Sequence, residues 1–256
     1  MAAEQPWVLA DTTWRFVRDA HYDVAVLPWG ATEAHNLHLP YGTDTIESDH
    51  VAHEAARIAW QAGARVVALP TVPFGVNTGQ LDIPLCLNLN PSTQAAVLRD
   101  IMVSVERAAV GKLVIVNGHG GNDFRQIIRE LQPDTDVFLC TLNWYACVDA
   151  ATYFDEPGDH AGELETSVMQ HLAPQLVAPL SSAGDGHARH FRLGALREGW
   201  AWAPRQWTQV TADTGVGNPR AATPERGSRF FTAATQRIAE FLIELAAADL
   251  NAMYQE

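Results

Sequence analysis

The stretch Asp23–Gly30, DVAVLPWG, decides the fold. Its apolar residues run through Val24–Leu27 without polar alternation and stop at Pro28 and Gly30, which reads as a short strand buried on both faces. After a loop comes a helical pattern, TDTIESDHVAHEAARIAWQAGA over residues 43–64, and the unit then repeats. RVVALP (65–70) is a second strand, PSTQAAVLRDIMVSVERAAVGK (91–112) a helix with Ser92 or Thr93 as its expected cap, and LVIVNG (113–118) a third strand. GNDFRQIIREL (121–131) is a shorter helix, and TDVFLCTLNWY (135–145) a fourth strand. Strands and helices alternating at this spacing require parallel strands with crossovers covering both faces. The expected fold is α/β, a three-layer α/β/α sandwich around a mostly parallel central sheet.

Beyond Tyr145 the pattern loosens. HAGELETSVMQHLA (160–173) is again helical, and residues 223–254, opening on Thr223-Pro224, form a long amphipathic C-terminal helix. Between them Ser181–Asn218 is glycine-rich and carries Trp200, Trp202 and Trp207, an ordered excursion suited to a lid or a subunit contact. At 256 residues one hydrophobic core suffices, so a single domain over residues 1–256 is expected.

Thirty acidic residues against seventeen basic ones give a formal charge of −13, which repels nucleic acid and anionic lipid surfaces. The start of the sequence has neither a basic leader nor an apolar run, and no segment approaches the roughly 20 apolar residues of a membrane span. A cytoplasmic protein without nucleic-acid or membrane partners is expected. Cys86, Cys140 and Cys147 are odd in number and form no CxxC pair, so they read as free thiols without a catalytic role.

Ligands of open α/β sheets bind beyond the carboxyl ends of the strands. Three loops leave that edge with unusual cargo. Glu33, His35, His38 and Asp44 crowd into twelve residues, 33–44, of the segment after the first strand, His119 follows the third in NGHGGN, and His160, Glu163 and Glu165 follow the fourth in DHAGELETS. Imidazoles and carboxylates converging in this way suit zinc or manganese, and a carboxylate such as Asp44 can bridge two ions. A two-metal site in turn suits hydrolysis, because the ion pair activates a hydroxide and polarises the group attacked. The Asp44–Glu47 spacing is also a helix-capping pattern, which is compatible with ligation. NGHGGN is a poor phosphate loop, since it lacks GxGxxG and a Walker lysine. His50 and His53 read as a solvated helix face.

These motifs resemble those of the creatininase (creatinine amidohydrolase) family. Its Gly-x-Thr-Glu-x-His-x-x-His-Leu-Pro-x-x-Thr-Asp loop is matched by GATEAHNLHLPYGTD, its NGHGGN stretch by the same six residues, and its HAGxxETS motif by HAGELETS. The resemblance implies that Glu33, His35, Asp44 and His119 are metal ligands, with Asp44 bridging, His35 serving one ion, and Glu33 and His119 the other. Creatininases proper carry a further glutamate two residues after the third-strand histidine, where this chain has Gly121. The inference drawn is that Glu163 supplies the missing carboxylate, as a fifth ligand acting with the catalytic apparatus, and that Glu165 supports it. His160 is implied to be the acid–base group, His38 to orient a ligand, and Trp144 to flank the substrate. A second tryptophan expected before the HxG motif is replaced by Glu156, which counts against creatinine itself. Asn77 and Gln80, where the family more often has a Glu-His pair, point to a polar small-molecule substrate.

The resemblance thus implies two divalent ions, zinc or manganese or both, in a hydrolase cleaving a carbon–nitrogen bond of a small amide, cyclic amides included. The alternatives are cleavage of a cyclic inositol-derived ketone, deformylation, or metal and small-ligand binding without catalysis. It also implies a homo-oligomer, a ring-like hexamer being usual in the family.

Overall fold

A computed structural model describes residues 5–255, so residues 1–4 of the N-terminal reading and Glu256 lie outside the described residues. A short helix α1 (Trp14–Val17) precedes β1 (Val24–Trp29) and α2 (Thr43–Gln61). Next come β2 (Val66–Ala68), α3 (Pro91–Arg107), β3 (Lys112–Asn117), α4 (Phe124–Leu131) and β4 (Phe138–Asn143). The remaining helices are α5 (Glu163–Leu172), the single turns α6 (Gly194–Arg197) and α7 (Trp207–Val210), and α8 (Pro224–Ala247).

All four strands are parallel, in the order β2-β1-β3-β4. Every residue of β1 and of β3 is buried, as their uninterrupted apolar runs demand. Alternation then sorts the side chains between two cores. Val24, Val26, Val114 and Val116 face α2, α5 and α8, whereas Ala25, Leu27, Leu113 and Ile115 face α3 and α4. Helices thus cover both faces, and the three-layer sandwich expected from the alternation is the fold observed.

Several boundaries differ from the sequence reading. Strand β2 stops at Ala68, short of Pro70, a residue with no N–H to give a ladder. Helix α3 takes Asn90 as its N-cap residue, with Pro91 in the first helical position, so neither Ser92 nor Thr93 caps it. Thr223 does cap α8, its hydroxyl accepting from Arg226 N. That helix ends at Ala247 rather than near Tyr254, because Ala248 is extended and Asp249 starts a separate turn by accepting from Asn251 N. The buried ammonium of Lys112 closes the helix end, donating to the carbonyls of Leu245, Ala246 and Ala248 at 2.7, 3.0 and 2.9 Å.

Two arrangements bring chemistry to the carboxyl edge. Gly30, at the end of β1, lets α2 come close: a Cβ there would lie 2.6 Å from Thr45 Cα. The first turn of α2, which bears Asp44, therefore abuts the strand ends. The excursion over residues 181–218 returns to the same edge through a bridge in which His160 and Val216 exchange backbone hydrogen bonds of 3.0 and 2.8 Å. No helix among the described residues is long and apolar enough to cross a membrane.

Candidate metal centre

Three imidazoles meet at this edge, and each has one ring nitrogen committed to a backbone carbonyl. His35 Nδ1 lies 3.1 Å from Glu33 O, His119 Nε2 3.1 Å from Val76 O, and His160 Nε2 2.8 Å from Ala34 O. A carbonyl only accepts, so each of those nitrogens carries the proton and donates. The other nitrogen of each ring faces carboxylates. His35 Nε2 is 2.8 Å from Asp44 Oδ1, while His119 Nδ1 is 2.9 Å from Glu33 Oε1 and 3.1 Å from Asp44 Oδ2. His160 Nδ1 is 3.7 Å from Glu33 Oε1, and its ring stacks 4.1 Å from that of His35. Backbone carbonyls that fix the tautomer and aim the free nitrogen inward are what metal-binding histidines need.

The ligand atoms sort into three sets within 4.8 Å of one another: Glu33, Asp44 and His119; His35, Asp44 and Glu165; and Glu33, His35 and His160. Asp44 belongs to two of them, with one oxygen toward each histidine. Its Oδ2 is buried and makes no well-aligned hydrogen bond, with His119 Nδ1 at 3.1 Å as its polar neighbour, so a cation between the two would satisfy it. The oxygen and nitrogen donor set fits a divalent ion of the zinc or manganese kind.

Charges here are strongly coupled. Burial opposes ionisation of His35, but Asp44 overrides it, and the imidazole is pushed up to about 10. For His119, burial is likewise outweighed by Glu33 and Asp44, which raise it well above its usual range. Against burial, His119 and His160 hold the Glu33 carboxyl low, and His35 and His119 do the same for Asp44. Glu165 goes the other way, because burial outweighs the attraction of His35 and His160.

Glu163 is not part of this cluster. As the first residue of α5 it turns away: Oε2 accepts from the backbone N–H groups of Asp155 and Glu156 at 3.1 and 3.0 Å, and Oε1 pairs with Arg226. Glu165, read as a support, stands in the place expected of Glu163, with its Oε2 accepting from Ala161 N. The reason is helical: two residues on a helix are separated by some 200°, so only one of the pair can face the strand ends. Ala161 holds a left-handed backbone, φ 51°, to present that N–H.

Trp144 also departs from its expected place. It is buried in the core, 5.9 Å edge-to-face from Phe230, whereas its neighbour Tyr145 lines the cavity over the cluster. The Tyr145 hydroxyl is pushed up to about 12 by burial and then by Glu165 and Asp44, so it stays protonated. His38 bonds no cluster member; its Nε2 lies 2.8 Å from Thr166 Oγ1, tying the first loop to α5 beside Glu165. Burial and the charge of His35 push it down to about 4, so it is neutral. Gln80 donates from Nε2 to Glu33 Oε2 and accepts from Cys86 Sγ at 3.2 Å, which fixes Glu33. Asn77 is buried beside it, its Nδ2 donating to Leu87 O at 3.1 Å, and it lines a side cavity next to His119. Glu47 does not cap α2; it is wholly buried with neither oxygen partnered, and burial with Glu165 and Asp44 nearby raises it well above the carboxylate range.

Among the cavity residues that escaped the sequence reading are Tyr145, Asp159, Arg205 and Trp207. Tyr145 was within reach, since it follows a strand at the carboxyl edge. Nothing local in REGWAWAPRQW tells Trp207, which packs 4.8 Å from the His160 ring, from Trp200 and Trp202, which are 77% and 84% exposed.

The family model for creatinine amidohydrolase matches residues 10–242. A mycofactocin precursor peptide peptidase of Mycobacterium ulcerans (strain Agy99) is 30% identical over 218 residues, covering 80% of this chain and 79% of its own length. A creatinine amidohydrolase of Pseudomonas putida is 27% identical over 177 residues, 60% of this chain and 66% of that one. Among solved structures, a Bacteroides fragilis NCTC 9343 protein provisionally called a creatinine amidohydrolase superposes with a TM-score of 0.91 at 43% identity, over 97% of this chain and 99% of that chain. A manganese form of creatininase superposes at 0.77 with 22% identity, over 94% and 99% of the two chains, and a Zn-Zn type of a variant creatininase is similarly related.

Proposed function

This chain belongs to the creatininase family, a family of metal-dependent amidohydrolases, and from that premise we propose that it hydrolyses a carbon–nitrogen bond of a small polar amide at a centre for two divalent ions. The observation that carries the reading is Asp44, a buried carboxylate offering Oδ1 to the His35 side and Oδ2 to the His119 side. One ion would be held by Glu33, Asp44 and His119, the other by His35, Asp44 and Glu165. Manganese and zinc are the candidates, being the ions named for related creatininases. Bound there, they would supply Lewis-acid polarisation of the scissile carbonyl and acidify the attacking water.

The chain's own groups then have separate tasks. His160 holds its Nε2 proton on Ala34 O, leaving Nδ1 open to the cavity, where it can take a proton and pass it to the leaving nitrogen. Tyr145 stays protonated and can donate to the substrate carbonyl, while Trp207 closes the wall behind His160. Gln80 and His38 act through Glu33 and α5 as positioning residues. Creatinine itself is a poor candidate, because Trp144 is in the core and Glu156 stands where the second tryptophan would be. We also propose a cytoplasmic, single-domain protein that assembles as a homo-oligomer, for which the exposed Trp200 and Trp202 are candidate contacts.

The reading is tested by elemental analysis and turnover together. Asp44→Ala should strip both ions from the purified protein, and wild-type metal content in that variant would refute the assignment. His160→Ala should keep its metal while losing some 10²–10⁴-fold in rate on an amide substrate found by screening. Undiminished turnover would remove His160 from the reaction.

A further inference from the structure

Arg205 occupies a position that the reaction described above does not use. It lines the cavity over the cluster, of about 150 Å³, a side cavity of about 220 Å³ beside Asn77 and Gln80, and an outer groove of about 990 Å³ bordered by Arg189, Arg192 and Trp202. Among the described residues it is therefore the one basic side chain shared by the inner cavity and both outer spaces. Its placement is built in. The guanidinium carbon lies 4.8 Å over the Trp207 ring, which itself packs on His160, and Nη1 donates to Asp159 Oδ2 at 2.5 Å.

The backbone beneath is fixed as well. A Cβ at Gly79 would lie 2.0 Å from Arg205 O, so only glycine there allows the segment to lie against residues 78–80. Asp82 Oδ2 accepts from Gln206 Nε2 at 2.9 Å and from Thr208 Oγ1 at 2.5 Å, pinning the two residues that flank Trp207. A guanidinium offers five donors in a planar fork, and among the described residues only Nη1 of Arg205 has a protein acceptor. The side chain is 40% exposed, so the other donors face the cavities and solvent.

We infer that Arg205 is a specificity residue that binds a carboxylate of the substrate lying a few bonds from the scissile amide. The short span follows from the guanidinium's seat on Trp207, whose ring packs 4.8 Å from that of His160 beside the cluster. The fork matches a carboxylate in two parallel hydrogen bonds, which neither the histidines nor the aromatic walls can offer. The inference rests on the hydrolase reading for the word substrate, yet the carboxylate site can be tested apart from it.

The test is calorimetric binding to the full chain, once metal-loaded and once after chelation. Three probes are compared: N-acetylglycine, with a terminal carboxylate; the α-amide of N-acetylaspartic acid, with a side-chain carboxylate; and N-acetylglycinamide, with none. At least one acid should bind about tenfold or more tightly than the neutral amide in both metal states, and the stronger of the two identifies the source of the carboxylate. Arg205→Gln should bring that ratio to within about twofold, and Arg205→Lys should keep part of it. A merely structural Arg205 would alter the binding of all three probes alike and leave the ratio unchanged. The inference is overturned if acid and amide bind wild type equally, if neither acid binds at all, or if the preference survives in Arg205→Gln. Because the ratio is also read without metal, an acid preference that persists while Asp44→Ala keeps its metal would sink the metal-centre reading and leave this one standing.

Discussion

At the scale of single residues, the centre depends on which glutamate of HAGELETS faces inward. Glu165→Ala should lose the ion on the His35 side, whereas Glu163→Ala should keep both and lose about 1–3 kcal/mol of stability, because two backbone N–H groups are left without their acceptor. Metal content and urea unfolding of the two variants decide between them, and the reverse pattern would restore Glu163 as the ligand. The protonation of the histidines gives a second expectation. In the metal-free chain His35, pushed up to about 10, and His119, also raised, carry protons at neutral pH, and an ion must displace them. Metal uptake should therefore release protons, and apparent affinity should climb with pH until about 10. Stability of the metal-free chain runs oppositely: the raised His35 contributes fully below the unfolded value of about 6.5 and its contribution is lost as pH rises through about 10. A pH-independent affinity in weakly buffered titrations would contradict this.

At the scale of elements, most of the architecture was legible and the side-chain facing was not. Apolar runs such as Val24–Leu27 and LVIVNG, alternating with helical patterns, are enough to specify parallel strands with helices on both faces. The three loops carrying Glu33, His35, Asp44, His119 and His160 were legible for the same reason, as each follows a strand at the carboxyl edge. Two residues misread, Trp144 and Glu163, sit one and two positions from a residue that does face the cavity, Tyr145 and Glu165, and which member of such a pair faces inward is settled by packing that local sequence does not encode. For Trp144 the deciding partner is distant: Phe230 on α8 lies 5.9 Å away, and Phe230 in turn packs on Tyr153 and Phe154 at 5.5 and 5.3 Å. Phe230→Ala should accordingly cost about 3–5 kcal/mol in denaturant unfolding. Trp144→Phe should lower stability while leaving metal content and probe binding unchanged; a selective loss of probe binding would return Trp144 to the pocket.

At the scale of the whole molecule, the centre joins parts far apart in the chain. The loop after β1, the loop after β3 and the start of α5 each contribute ligand candidates, and Val216 and Trp207 bring residues 181–218 against His160. Ions bound only by the folded state stabilise it, by about 2.7 kcal/mol when present at a hundred times their Kd. Chelation should therefore lower the Tm by roughly 5–10 °C for each ion removed, reversibly on return of zinc or manganese. An unchanged Tm with the metal demonstrably removed would mean that these loops hold together without it. The most direct examination of the central claim is anomalous diffraction from crystals of the metal-loaded protein. The account predicts two peaks flanking the Asp44 carboxylate, one also touching Glu33 and His119 and the other His35 and Glu165; density with no peak among these side chains, or a peak that takes Glu163 in place of Glu165, would contradict it.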